Sequence, residues 1–208
     1  MTTPDSQAGY ALLVPVKDSR RAKSRLGVGD DGERAQLMAA FARDALGAAT
    51  AVPGLQVHVV GDPDALGEVL AGLEVTVVPD EGEGSLNRAL ERAATRVARP
   101  ALGVAVLLAD LPCLTTDDLV AALTDGSDRR FVADAAGTGT TLLIAPAGTE
   151  LDPRFGPGSA QAHRSSGARA LVDPLVSLRL DVDTTDDLRD ALRFGVGPYT
   201  AKVASSRW

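Results

Sequence analysis

The chain has few residues that could form disulfides or soft metal sites: one cysteine, Cys113, and two histidines, His58 and His163. One cysteine cannot form an internal disulfide, and this set is too small for a thiolate or multi-histidine zinc centre. No apolar run approaches the ~20 residues that span a bilayer, and the opening MTTPDSQAGY lacks the basic flank and apolar core of a signal peptide. These absences exclude such a zinc centre and predict a cytoplasmic protein that does not enter a membrane.

The overall charge is negative. The 208 residues include 21 basic and 28 acidic ones, which gives a formal net charge of −7. An acidic chain argues against general binding to nucleic acid. Apolar residues make up 45% of the chain, as in ordinary globular domains, and the length suits one domain over residues 1–208. We therefore expect a partner that is a small molecule or a protein.

Short apolar runs alternate with amphipathic stretches along the chain. The runs predicted to be strands are Ala11–Val16, Val57–Val60, Val75–Val78, Val104–Leu108, Phe131–Ala133, Thr140–Ala145 and Val176–Val182. Helix-like segments lie between them at about 33–50, 63–72, 85–98, 115–124 and 184–193. This alternation requires crossover connections, so it predicts an α/β fold with a mostly parallel sheet. The tail 195–208 is predicted to be a partly flexible surface segment.

A cluster of basic residues follows the first predicted strand, in a loop over residues 15–27. Its members are Lys17, Arg20, Arg21, Lys23 and Arg25. Ligands of open α/β sheets bind outside the carboxyl ends of the strands, and cations at that position offset the negative charge of a triphosphate. The cluster therefore predicts a phosphate-binding loop. The simpler interpretation is a solvated basic loop.

Three aspartates lie where a hard divalent cation could bind. Asp110 follows the strand predicted at 104–108, and Asp181 and Asp183 lie two apart near the end of the last predicted strand. Alternation puts the last two on one face, where like charges repel unless a cation lies between them. Mg²⁺ prefers oxygen ligands of this kind. The simpler interpretations are a turn aspartate before Pro112 and a helix cap at Asp183.

Two glycine-rich turns could offer backbone N–H groups to an anion. They are Gly137-Thr-Gly-Thr-Thr141 and Phe155-Gly-Pro-Gly-Ser159, and the second leads into a short predicted helix. Such turns can hold phosphate or carboxylate, although either one alone is more often an ordinary turn. Cys113 is interpreted as a small core residue, because no histidine or basic residue near it in the sequence would activate the thiol.

Several of these segments, in this order, resemble the guanylyltransferases of coenzyme F-420 biosynthesis that act on phosphoenolpyruvate or 2-phospho-L-lactate. The motifs that carry the resemblance are Val14-Pro-Val-Lys17, Ala22-Lys-Ser-Arg-Leu26, Gly84-Ser-Leu-Asn87, Ala109-Asp-Leu-Pro112, Gly137-Thr-Gly-Thr-Thr141, Phe155-Gly-Pro-Gly-Ser159, Leu180-Asp-Val-Asp-Thr184 and Gly195-Val-Gly-Pro198. Each motif is weak alone, but the ordered set spans nearly the whole chain. The resemblance implies a nucleotidyltransferase-type, Rossmann-like three-layer α/β sandwich. It also implies transfer of GMP from GTP to the acceptor phosphate, with release of pyrophosphate.

The resemblance also implies roles for individual residues. The residues implied to hold Mg²⁺ are Asp110, Asp181 and Asp183. Those implied to contact the nucleotide are Lys17, Lys23 and Arg25 at the phosphates and Asn87 near the guanine or ribose. Those implied to lie near the phosphate and carboxylate of the small acid are Thr141, Gly156 and Ser159. The implied catalytic residues are Lys17, Lys23 and Asp110, and transient contact with the downstream transferase of the pathway is a further expectation.

Two other classes of function remain open from the sequence. One is another nucleotidyltransferase, acting on a sugar phosphate or on the molybdenum cofactor, although the glycine-rich loop usual after the first strand of those families is absent here. The other is a non-catalytic GTP-binding subunit, against which the spaced aspartates argue. The residues do not decide between the two acceptors, which differ by the reduction of one carbon–carbon double bond.

Overall fold

The strands of the chain form one mixed sheet in the computed structural model, which describes residues 9–16, 30–124, 126–172 and 174–205. Within those residues, seven strands are present: β1 (Tyr10–Pro15), β2 (Gln56–Val60), β3 (Thr76–Val78), β4 (Gly103–Leu107), β5 (Arg130–Ala133), β6 (Thr140–Ala145) and β7 (Arg169–Ala170). Their order across the sheet is β3-β2-β1-β4-β6-β5-β7. Only β6 runs antiparallel to its neighbours β4 and β5 among these strands. The predicted α/β fold with a mostly parallel sheet is confirmed.

Helices connect the strands and cover both faces of the sheet. They are α1 (Asp31–Thr50), α2 (Gly67–Leu70), α3 (Leu86–Val97), α4 (Thr116–Thr124), α5 (Ser159–Ser165), α6 (Thr185–Phe194) and α7 (Pro198–Ser205), with 3₁₀ turns at Pro63–Ala65 and Val176–Leu178. None of the helices in the described parts of the chain is both long enough and apolar enough to cross a bilayer.

The central strand β1 shows why the sheet has two apolar faces. Leu12 and Val14 pack into the core shared with α1 and α4, whereas Ala11 and Leu13 pack into the core shared with α3. Alternate side chains of a strand point to opposite faces, so a strand covered on both sides must be apolar throughout. These four residues are fully buried.

Several helices begin at the residues that their sequence indicates. Asp30 caps α1 in a reciprocal capping box with Glu33, and Ser85 accepts a hydrogen bond from the backbone of Arg88 at the start of α3. Thr184 caps α6 in a second capping box, with Asp187. A hydroxyl or carboxylate at these positions satisfies backbone N–H groups that have no partner inside the helix.

The run Val176–Val182 is not a strand, and this prediction is wrong. Its first residues form a 3₁₀ turn, and the rest is irregular. The side chain of Arg179 donates to the carbonyls of Ala133 and Leu171, over 3.2 and 2.7 Å. The segment is therefore held across the ends of β5 and β7, and its residues Leu178 and Val182 are buried without strand pairing.

The segment predicted as a tail contains the helix α7. Asp44, a buried residue of α1, accepts the backbone N–H groups of Tyr199 and Thr200 over 3.0 and 2.8 Å. A carboxylate at a helix N-terminus meets both the unpaired N–H groups and the positive end of the helix dipole. The side chain of α1 thus docks the first turn of α7.

Candidate active site

The carboxyl ends of the parallel strands lie along one edge of the sheet. The parallel strands β1, β2, β3, β4 and β5 all end at this edge, and the antiparallel strand β6 begins there. Open α/β sheets bind ligands outside the carboxyl ends of their parallel strands. This edge is therefore the candidate active site.

The basic loop begins at the same edge, directly after β1. Lys17, Lys23 and Arg25 lie outside the described residues, so the prediction that they bind phosphate stays a prediction. The last described residue before the loop is Val16, which is buried and donates its backbone N–H to Val60 over 3.0 Å. A Cβ on Gly61 would lie 2.6 Å from the carbonyl oxygen of Val16. The start of the loop is thus packed directly against the end of β2.

A backbone hydrogen bond joins the two aspartate motifs. The N–H of Val182 donates to the carbonyl of Asp110 over 3.0 Å. Val182 is buried in the cluster formed with α1 and α6, while Asp181 on one side of it is half-buried and Asp183 on the other is exposed. The structure therefore brings the predicted metal-binding segments side by side, although they are far apart in the chain.

Two further contacts hold this aspartate segment at the sheet edge. The hydroxyl of Thr141, a buried residue of β6, donates to the carbonyl of Leu178. The N–H of Ala135 donates to the carbonyl of Arg179 over 2.8 Å. The Thr141 hydroxyl is bonded to a backbone carbonyl, and its side chain is buried inside the sheet. Thr141 therefore supports the aspartate segment from within and does not face the solvent.

The simpler interpretation of Asp183 as a helix cap is not what the structure shows. The capping residue of α6 is Thr184, and Asp187 supplies the reciprocal carboxylate. Asp187 also accepts the backbone N–H of Asp183 over 3.1 Å. The side chain of Asp183 is therefore not the group that starts the helix.

The carboxylate oxygens of the three aspartates are ligands of the kind that Mg²⁺ prefers, but their side chains do not form a complete metal site in the structure. In the parts of the chain that the structure describes, no group of three or more His, Cys, Asp or Glu side chains is placed to hold a metal ion. Mg²⁺ usually binds through one or two carboxylates, with substrate phosphates and water completing the coordination. The prediction that Asp110, Asp181 and Asp183 hold Mg²⁺ therefore stays a prediction.

The first glycine-rich turn is filled by a side chain of the protein itself. Asp134 accepts the backbone N–H groups of Thr138 and Gly139 over 2.8 and 2.7 Å. A Cβ on Gly139 would lie 2.4 Å from that carboxylate, which explains the glycine. These two N–H groups are thus already paired with an anion. Sequence reasoning missed Asp134, whose role is visible only when the turn is folded.

The second glycine-rich turn is joined to the first and leads into α5. The N–H of Ala160 donates to the carbonyl of Thr138 over 3.1 Å, and that of Ser159 donates to Gly156 over 3.0 Å. Gly156 is exposed, with a φ of 135° that side chains rarely adopt, and Ser159 is buried. The predicted acceptor residues Gly156 and Ser159 therefore lie in one short, internally bonded turn.

Asn87 contacts the second glycine-rich turn. Its carboxamide oxygen accepts the backbone N–H of Phe155 over 2.8 Å, and its amide nitrogen donates to the carbonyl of Phe155 over 3.0 Å. The sequence places Asn87 near the base or ribose of a nucleotide. That prediction is not tested by the structure, in which both polar ends of the Asn87 side chain bind the backbone of Phe155.

His163 and Cys113 are both interior groups with shifted pKa values. Burial, with a smaller effect of the Arg129 charge, lowers the pKa of His163 to about 4. The neutral ring bonds Thr140 through Nδ1 and accepts the N–H of Arg154 at Nε2, each over 2.9 Å.

Burial, followed by the nearby Asp44 charge, raises the pKa of the Cys113 thiol to about 11. Cys113 is therefore a protonated core residue, as its sequence context suggests.

Comparison with solved structures defines the class of the fold. The chain resembles a nucleotidyl transferase from Methanothermobacter, with a TM-score of 0.61 at 17% identity, covering 91% of this chain and 98% of that one. It also resembles a 4-diphosphocytidyl-2C-methyl-D-erythritol synthase, with a TM-score of 0.58 at 12% identity, covering 91% of this chain and 99% of that one. The fold is that of the nucleotidyltransferases.

The family is shown by sequence. A family model described as "Guanylyl transferase CofC like" matches residues 10–205, and the chain belongs to this family. A phosphoenolpyruvate guanylyltransferase of Streptomyces coelicolor is 49% identical over 203 residues, covering 94% of this chain and 96% of that protein. The corresponding protein of Thermomonospora curvata is 42% identical over 210 residues, covering 98% and 92%. The chain is thus a nucleotidyltransferase enzyme, which sets aside the interpretation as a non-catalytic subunit.

Proposed function

We propose that this enzyme transfers GMP from GTP to phosphoenolpyruvate in coenzyme F-420 biosynthesis, giving enolpyruvyl-diphosphoguanosine and pyrophosphate. The observation that carries this proposal is the identity of 42–49% over nearly the full chain to proteins named phosphoenolpyruvate guanylyltransferase. The alternative acceptor is 2-phospho-L-lactate, which would give lactyl-diphosphoguanosine.

The nucleotide and the metal ion would bind at the middle of the sheet edge. The carboxylates that would hold Mg²⁺ are Asp110, Asp181 and Asp183, and the backbone bond from Val182 to Asp110 supports this assignment. When bound, the ion would neutralise phosphate charge and orient the α-phosphate for attack. The residues that would contact the phosphates of GTP are Lys17, Lys23 and Arg25 in the loop after β1.

The acceptor would bind beside the turn at Gly156 and Ser159. Gly156 is exposed, and a Cβ at this position would meet no atom of the described residues within 4 Å, so the backbone there can be approached closely. Thr141 lies behind this region and holds the aspartate segment through Leu178. In this arrangement the acceptor phosphate approaches the aspartates from the β6 side of the edge.

The reaction needs no protein base. An oxygen of the anionic acceptor phosphate would attack the α-phosphorus of GTP, a new phosphorus–oxygen bond would form, and the bond to the bridging oxygen of pyrophosphate would break. The work of the protein is to hold two anions in line against their repulsion. The low pKa of His163 agrees with this, because its ring is buried and already used in structural hydrogen bonds.

The test is pyrophosphate release by the purified full chain with GTP, Mg²⁺ and one acceptor at a time, with mass spectrometry of the product. We expect release with phosphoenolpyruvate, loss of release with a chelator, and little release when ATP, CTP or UTP replaces GTP. No release with either acceptor under any divalent metal would overturn the proposal. Preference for CTP or UTP would indicate a different nucleotidyltransferase.

A further inference from the structure

The carboxamide of Asn87 forms a two-point clamp on the backbone of one residue. It accepts the N–H of Phe155 over 2.8 Å and donates to the carbonyl of Phe155 over 3.0 Å. Asn87 is the only asparagine in the chain. An asparagine side chain has an acceptor and a donor group on the same planar amide, so it can pair with both backbone polar groups of one residue.

Two other contacts hold the same point of the chain. The ring of Phe155 is buried against His163, with the ring centroids 5.2 Å apart in an edge-to-face arrangement. The Nε2 atom of His163 accepts the N–H of the preceding residue, Arg154, over 2.9 Å. The backbone at 154–155 is therefore held from α3 by Asn87 and from α5 by His163, immediately before the exposed turn at Gly156.

The clamp joins two parts of the sheet edge that the topology keeps apart. Asn87 lies in the first turn of α3, which follows β3 at one end of the sheet. Phe155 lies in the connection after β6, on the opposite side of β1 and β4. Asn87 thus ties the nucleotide-side half of the edge, where the loop after β1 begins, to the half that carries Gly156 and Ser159.

From this geometry we infer that Asn87 is a positioning residue: it holds the Phe155–Ser159 turn in the place where the acceptor binds, and it does not read the base of the nucleotide. This inference rests on the proposed guanylyl transfer for its kinetic consequence. It predicts that loss of the clamp weakens acceptor binding, while nucleotide choice is retained.

The clamp itself is tested without substrates, by hydrogen exchange of the free protein. In Asn87→Asp the carboxylate keeps the acceptor but loses the N–H donor and faces the carbonyl of Phe155 with a negative oxygen. In Asn87→Ala both bonds are lost. We expect exchange of the Phe155 amide to rise about tenfold or more in Asn87→Ala, as the loss of a half-buried hydrogen bond predicts, and by less in Asn87→Asp, which keeps the acceptor oxygen. Unchanged exchange in Asn87→Ala would overturn the clamp.

The matched control is Glu91→Gln, an exposed position on the outer face of the same helix. This substitution replaces a carboxylate with an amide, the reverse of Asn87→Asp. We expect it to leave the hydrogen exchange of the Phe155 amide and the kinetic constants unchanged. Circular dichroism and thermal unfolding of each variant show whether the fold is retained before the kinetics are compared.

Steady-state kinetics distinguish a residue that positions the turn from a residue that contacts the guanine base. We expect the KM for phosphoenolpyruvate to rise about tenfold in the Asn87 variants, with the KM for GTP within about twofold and the preference for GTP over ATP unchanged. A changed GTP preference with an unchanged acceptor KM would overturn the inference in favour of base recognition. If the wild-type protein shows no activity with either acceptor, the proposed function fails, and the exchange measurement alone decides the clamp.

Discussion

Val182 donates its backbone N–H to the carbonyl of Asp110 over 3.0 Å, and this bond aligns two aspartate segments that the sequence separates widely. Because Val182 is fully buried against α1 and α6, the segment is anchored by apolar packing as well as by the hydrogen bond. The flanking residues Asp181 and Asp183 are consequently presented beside the end of β4. This relationship is the structural basis for the metal-binding proposal.

Replacement of an aspartate that we propose to bind Mg²⁺ should abolish turnover while the fold is retained. We expect Asp110→Asn and Asp183→Asn each to lower kcat by about a hundredfold or more, because the amide keeps the shape of the side chain but not its charge toward Mg²⁺. Pyrophosphate release measures the effect. The control is Asp190→Asn, which alters only an exposed ion pair with Arg193 and should leave the rate unchanged. Full activity of both aspartate variants would contradict the metal assignment.

A methyl group at Gly61 should disturb the start of the loop after β1, which we propose to bind phosphate. The Cβ of alanine would lie 2.6 Å from the carbonyl of Val16 and 2.8 Å from the side chain of Leu66. We expect Gly61→Ala to lower the free energy of unfolding by about 1–3 kcal/mol and to raise the KM for GTP severalfold, because β1 must shift to relieve the overlap.

The control for that variant is Gly47→Ala. Gly47 lies within α1, and a Cβ there meets no described atom within 4 Å. We expect this variant to be more stable by about 0.5–1 kcal/mol, since alanine is the better helix former. Urea unfolding of the two variants gives the comparison. Equal stability of both would show that the contact between Gly61 and Val16 is not tight.

Loss of the Asp44 carboxylate should release α7 from α1. The carboxylate accepts two backbone N–H groups, and a Cβ on Gly197 would come within 2.3 Å of it. We expect Asp44→Ala to lower the free energy of unfolding by about 3 kcal/mol, as for loss of hydrogen bonds to a buried charge. Thermal and urea unfolding measure this. Asp190→Ala on the exposed face of α6 should change it by less than about 0.5 kcal/mol, and a similar small effect at Asp44 would refute the docking role.

Protonation of the buried histidine should destabilise the protein in mild acid. The pKa of His163 lies at about 4 in the folded chain, below the ordinary value of 6.5, and burial also lowers the pKa of His58. Between pH 6.5 and pH 4, His163 is protonated in the unfolded chain but neutral in the folded chain. The free energy of unfolding is therefore at its full value above about pH 6.5 and falls as the pH drops toward 4.

The shift at His163 corresponds to about 3 kcal/mol, lost over that interval. Urea unfolding as a function of pH measures the slope, and an NMR titration of the ring protons locates the pKa of the folded state. An ordinary pKa near 6.5 for His163 would contradict the burial and hydrogen bonding that the structure shows.

Much of the fold could be predicted because its signals are local. The apolar run of β1 and the capping boxes at Asp30 and Thr184 involve residues within a few positions of one another. Periodicity and capping depend on the residues themselves, so they can be recognised before any tertiary contact is known. The run at Val176–Val182 had the same apolar pattern, but its docking by Arg179 onto two distant carbonyls decided against a strand.

The class of fold, the order of the motifs and the candidate residues were predictable from the amino-acid sequence, because they follow from composition, spacing and resemblance. The contacts of each polar group became visible only in the folded chain. Asn87 binds Phe155, Thr141 binds Leu178, and Asp134 fills the turn that seemed open to an anion. Such pairings join residues that are distant in the chain or depend on the exact path of a turn, and a hydrogen bond requires a fixed distance and angle that no sequence pattern states.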